Sequence, residues 1–79
     1  MLKAWDLRSF RAWLEEVAIT PSALDWVGTL TDEELEAMMR YMRLQGVIFR
    51  DGRPVGDDNR IWEALDGAVV YIDTMREEA

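Results

Sequence analysis

The chain has no cysteine and no histidine. That removes disulfides, thiol nucleophiles, thiolate zinc sites and imidazole acid–base chemistry together. The lack of cysteine fits a reducing compartment, and a cytoplasmic location is expected. Long apolar runs are missing as well. The opening stretch MLKAWDLRSF meets a charged or polar residue too often to be the apolar part of a signal peptide, and no run is long enough to cross a membrane. No internal repeat, linker or low-complexity segment divides the 79 residues, so 1–79 reads as a single domain.

Basic residues are scarce. Nine Lys and Arg face sixteen Asp and Glu, a net charge of −7. This balance disfavours direct binding to nucleic-acid phosphates over the molecule as a whole and favours encounter with a basic partner protein. What is plentiful is apolar material. Hydrophobic residues make up 49% of the chain and four are tryptophan, enough to build a core and too much for a disordered segment.

The best-specified element is TDEELEAMMRYMRLQG, Thr31–Gly46. Thr31 and Glu34 form a capping box, in which each side chain takes the other residue's backbone N–H. Asp32, Glu33, Glu34 and Glu36 sit at the positive end of the helix dipole, with Arg40 and Arg43 towards the negative end. Gly46 supplies the left-handed residue that stops the helix. Leu35, Met38, Met39 and Met42 share one face, while Tyr41 and Leu44 project on the other. A helix apolar on two sides is expected at the centre of the fold. Its methionines suit core filling, or a surface that adapts to partners.

Before it, Asp6 can cap a helix from Leu7 to about Ala18, with Leu7, Phe10, Leu14 and Val17 inward, Trp13 beside them, and Arg8, Arg11 and Glu15 outward. Trp5 precedes that cap and either staples onto the first turn or stays exposed. Thr20 as N-cap and Pro21 as first helical residue start a short second helix to about Val27, which Gly28 ends. It carries Leu24 and Trp26 or Val27 inward, and Leu30 is placed to staple the next cap.

After Gly46, Val47–Arg50 and Arg53–Val55 flank Asp51-Gly52, the pattern of a two-residue hairpin, or else an ordered loop. Pro54 confines the second arm to an edge. Asp57, Asp58 and Asn59 are successive candidate caps for a last helix from about Arg60 to Glu77. Ile61, Leu65, Ala68, Ile72 and Met75 form its core stripe, with Trp62 and Val69 at the flank and Gly67 in mid-helix. The expected fold is mostly α: a compact four-helix domain with a small hairpin between helices 3 and 4.

No catalytic, cofactor or metal site can be assembled from these residues, and no enzyme is expected. There is no Gly-rich phosphate loop, and nothing near the carboxylates would raise a pKa. Asp51–Trp62 fails as an EF-hand, because Arg53 and Val55 occupy ligand positions and no glutamate closes it. Arg50, Arg53 and Arg60 bracket the hairpin and either grip a phosphate or pair locally with Asp51, Asp57 and Asp58.

One constellation points to a partner. Glu63, Asp66, Val70, Asp73 and Glu77 line the last helix on the side away from its core stripe. Glu77 and Glu78 stand at the helix C-terminus, where the dipole opposes them. Such a row can imitate nucleic-acid phosphates on a basic groove, or it is a solvated face. With Trp5 as an additional contact, it is the candidate partner-binding surface.

The order of three helices and a hairpin over Asp6–Val55 resembles a winged helix-turn-helix domain, which implies a DNA-binding regulator using Arg50 and Arg53 in the wing. In that family the third helix presents basic or polar residues at its start. Here those positions are Asp32, Glu33, Glu34 and Glu36, which repel phosphate. In size and charge the chain is similar to small acidic phage-encoded viral inhibitors, some anti-CRISPR proteins among them. That similarity implies an inhibitor acting as a nucleic-acid mimic on the basic surface of a larger protein. A homodimer with the Ile61–Met75 stripe as its seam is the third reading.

Overall fold

A computed structural model describes residues 4–78. The first three residues of the opening stretch and Ala79 lie outside them. The elements follow the order α1 (Ala4–Val17), α2 (Pro21–Gly28), α3 (Asp32–Leu44), β1 (Ile48–Arg50), β2 (Arg53–Val55) and α4 (Asp58–Glu78). The whole measures 30 × 26 × 25 Å, and among the described residues no helix is long and apolar enough to cross a membrane.

Helix α1 begins two residues before the expected cap. Asp6 therefore lies in its first turn, and Trp5 is within the helix rather than ahead of it. Phe10, Trp13 and Leu14 are buried, with Leu7 and Val17 packed at the edge of the core. Arg11 does not join Glu15 on the outer face. It turns to the end of α2 and donates to the carbonyls of Val27, at 2.9 Å, and Leu30. Arg11 thereby ties α1 to the α2–α3 connection, the Val27 carbonyl accepting the Leu30 N–H at 3.2 Å as well.

Thr20 and Pro21 start α2 as expected, the threonine hydroxyl accepting from the Ala23 N–H at 3.1 Å. Only Val27 and the following Leu30 are fully buried, Trp26 is half-buried, and Leu24 faces solvent. In α3 both halves of the capping box form. At its other end Gly46 takes φ +93°, the Gly46 N–H bonds the Arg43 carbonyl at 2.9 Å, and the Val47 N–H bonds the Met42 carbonyl at 3.0 Å. These are the two bonds of a Schellman ending. Met38, Met39 and Met42 are all buried, so the methionines are core. Leu44 is 81% exposed, so the second apolar side of α3 is covered only around Ala37 and Tyr41.

The hairpin forms with Ile48 opposite Val55, Phe49 opposite Pro54 and Arg50 opposite Arg53. Asp51 and Gly52 take φ +54° and +83°, the pair of left-handed residues that a type I′ turn requires. Three contacts fix it to α1. Phe49 meets Phe10 edge-on at 5.7 Å. Gly52 lies so close to the Asp6 carbonyl and Ser9 that a Cβ would collide. Arg53 pairs with Glu16 at 2.6 Å, not with the neighbouring aspartates expected from sequence.

Asp57 caps α4: its side chain accepts from the Asn59 N–H at 3.0 Å and its carbonyl from Ile61. The buried stripe is Ile61, Ala64, Ala68 and Ile72. It departs from the expected stripe at two places. Leu65 lies at the flank, and Met75 is 41% exposed. The small Ala64 and Ala68 face inward because α4 packs chiefly on α3, whose three buried methionines already fill that layer. Gly67 serves the same approach, with the Tyr41 ring lying directly over it. The Ile61–Ile72 stripe is thus consumed by the chain's own core. Trp62 is partly exposed, but its ring stacks on Trp13 at 6.1 Å, and Trp13 stacks on Phe10 at 5.9 Å.

Candidate interaction surface

The outer side of α4 presents Glu63, Asp66, Val70, Asp73 and Glu77, all exposed. The helical repeat brings them to one face. Val70 is 64% exposed amid the carboxylates. Among the described residues none of the four acids forms an ion pair. Trp5, the other expected contact, is exposed but not brought to this face. It lines a separate depression with Met39, Arg43, Phe49 and Gly52.

Asp73 is tied into the fold. Its Oδ1 accepts the Trp26 indole N–H at 3.1 Å. One turn on, the Arg76 guanidinium lies over the Trp26 ring at 5.6 Å. Arg76 also donates to Glu34 through Nε at 2.8 Å and Nη2 at 3.0 Å, and to the Thr29 hydroxyl at 3.1 Å. The end of α4 is thereby fastened to the α2–α3 junction. Hydrogen bonds from Arg76 and then from the Thr31 backbone hold the Glu34 carboxyl down at about 2, and the Arg76 pKa is raised in return. The Arg53–Glu16 contact lowers the Glu16 pKa by hydrogen bond and by charge. Arg53 is therefore already neutralised, while Arg50 forms no ion pair with a described residue.

Beside the acidic row lies a feature the sequence did not reveal. An apolar groove of about 400 Å³ runs between α1, α2 and α4, with Val17 and Ala18 on one side, Ala23 and Trp26 on the second, and Leu65 and Val69 on the third. Asp73 stands on its rim and belongs to both groove and row. The only local signal was the break at Ile19–Ser22, which turns the chain between two helices and leaves small residues on either side of the corner. Among the described residues no group of three or more acidic side chains converges as metal ligands would.

No family model matches this chain, and comparison with curated proteins and with solved structures finds no significant match.

Proposed function

We propose that the protein is a non-catalytic, cytoplasmic interaction module that docks the outer face of α4 on a basic surface of a larger protein. The observation that carries this reading is the row Glu63, Asp66, Asp73 and Glu77 around an exposed Val70, none of whose acids forms an ion pair among the described residues, although Arg76 attracts Asp73 at longer range. Carboxylates without a salt bridge on an exposed helix face keep most of their field for a partner, and a charge of −7 speeds encounter with a basic one. Where that basic surface ordinarily holds DNA or RNA, docking blocks it, as a nucleic-acid mimic does. The winged-helix alternative has less to work with. Arg53 is occupied by Glu16, and the start of α3 is acidic.

The test is affinity capture from lysate of the source at low and moderate salt, using wild type and the Asp66→Asn, Asp73→Asn, Glu77→Gln triple variant. Recovery of a nucleic-acid-handling complex, lost with rising salt and with the triple variant, supports the reading. Capture that the triple variant leaves intact rules out this face.

Self-association has one observation in its favour. Ile48 and Val55 stand opposite each other on the exposed face of the hairpin. A concentration-independent monomer mass in sedimentation would exclude it.

A further inference from the structure

The acidic row accounts for charge and leaves the adjoining groove unexplained. At about 400 Å³ the groove falls at the small end of pockets that take an organic ligand. Its lining is mainly hydrocarbon, with the Ser22 hydroxyl and the Asp73 carboxylate as polar exceptions. The Trp26 N–H is already used by Asp73. Where the α1–α2 corner lines the groove it presents Ala18, Ser22 and Ala23, small side chains that let a foreign backbone come close. Oδ2 of Asp73 has no hydrogen bond from a described residue, and Arg76, the cation beside Trp26, is paired with Glu34 and adds only a weaker, longer-range attraction to Asp73.

We infer that this groove receives an aliphatic side chain from an amphipathic basic helix of another protein, whose neighbouring lysine or arginine pairs with Asp73 and Asp66. The inference rests on the docking reading above and adds its anchor. Charge complementarity selects the occupant. Asp66 and Asp73 are two turns apart on α4, next to the groove residues Leu65 and Val69. A second copy of this chain, at −7, or any acidic segment meets like charge there. The anchor also supplies what the carboxylates lack. Exposed ion pairs contribute little each, whereas an apolar side chain seated among hydrocarbon carries affinity and fixes register.

The test titrates the labelled full chain with three synthetic helical peptides, followed by amide and indole NMR shifts. One carries leucine on one face and lysine on the other. The second replaces leucine by serine, and the third replaces lysine by glutamate. The leucine–lysine peptide is expected to move the Trp26 indole and the Ala18, Ala23 and Val69 amides. It should bind about tenfold or more tightly than the serine–lysine peptide, as burial of one aliphatic side chain implies. The leucine–glutamate peptide should not bind. Ala23→Trp, which fills the groove, should abolish the advantage of leucine. Asp73→Asn keeps an acceptor for the indole, and should weaken binding severalfold and flatten its salt dependence. If Ala23→Trp fails to fold, Asp73→Asn and the ratio between peptides decide the matter. Equal binding of both lysine peptides, with shifts confined to Asp66, Val70 and Glu77, overturns the groove and leaves the docking face standing. Binding by neither overturns both.

Discussion

Arg76 of α4 clamps the Glu34 carboxylate of α3 through Nε at 2.8 Å and Nη2 at 3.0 Å. The same carboxylate accepts the Thr31 N–H at 2.9 Å and so closes the α3 cap. One side chain therefore starts a helix and fastens another to it across 42 residues.

Acid should loosen this clamp. The Glu34 pKa falls from an ordinary 4.5 to about 2 in the folded protein. The native state then binds fewer protons than the unfolded chain in that interval, so the contribution is complete above pH 4.5 and lost as pH falls towards 2. Both side chains keep some contact with water, which limits the contribution to about 1–2 kcal/mol. Glu34→Gln retains an oxygen for the Thr31 N–H and removes the charge. Urea unfolding followed by circular dichroism should show that loss at pH 7 and near-equal stabilities of variant and wild type close to pH 2.

Gly67 should reject a methyl group that its helix would otherwise welcome. Glycine in a helix interior is about 1 kcal/mol worse than alanine. Yet a Cβ at Gly67 would stand 2.5 Å from Tyr41 Oη and 2.9 Å from its Cε1. The ring cannot swing away freely, because it stacks on Tyr71 at 5.6 Å. Gly67→Ala should therefore destabilise by about 1–2 kcal/mol, in the range of overpacking. In a Tyr41→Leu background the same change should stabilise. A double-mutant cycle in denaturant reads both signs.

Two glycines, Gly52 in the hairpin turn and Gly56 just after β2, separate backbone strain from contact. Gly56 has φ +117° with open space around it, so Gly56→Ala should cost about 1–2 kcal/mol from conformation alone. Gly52 has φ +83° and also abuts the Asp6 carbonyl and Ser9 of α1. Gly52→Ala should cost about 3 kcal/mol or more and release the Phe10–Phe49 contact. Comparable losses for the two variants, by urea midpoint, would show that the hairpin tip is not seated on α1.

The features legible in the sequence are those whose cause lies within a few residues. Thr31 and Glu34 are three apart, Gly46 acts on the preceding turn, and Asp51-Gly52 encodes its own turn. Each forms as expected. The pairings Arg53–Glu16, Arg76–Glu34 and Trp26–Asp73 span 37, 42 and 47 residues, and no local pattern carries them. The buried α4 stripe keeps Ile61, Ala68 and Ile72 of the expected one and departs from it at Leu65 and Met75 for a related reason. Their 4-3-4-3 spacing points to Leu65 and Met75 as core, but the methionines of α3 occupy that layer, and the facing positions go to Ala64 and Ala68. The exposed row on α4 follows from periodicity alone. The groove beside it depends on how three helices meet, so it became visible only in three dimensions.

The acidic row should also reveal itself through what it costs the fold. Glu77 stands in the last turn of α4, next to Glu78, where the helix dipole disfavours negative charge. Among the described residues Glu63 and Asp66 form no ion pair that would offset them. Neutralising Asp66 and Glu77 together, by Asp66→Asn and Glu77→Gln, should stabilise the protein by about 0.5–1 kcal/mol at low ionic strength. The gain should fade as salt screens the repulsion. A merely solvated face would tolerate this improvement without consequence. A docking face would exchange it for lost capture of a basic partner, the trade expected where charge is retained for function. Thermal unfolding at two salt concentrations, set beside partner capture by the same variant, distinguishes the cases. Higher stability with undiminished capture would leave the row as ordinary surface.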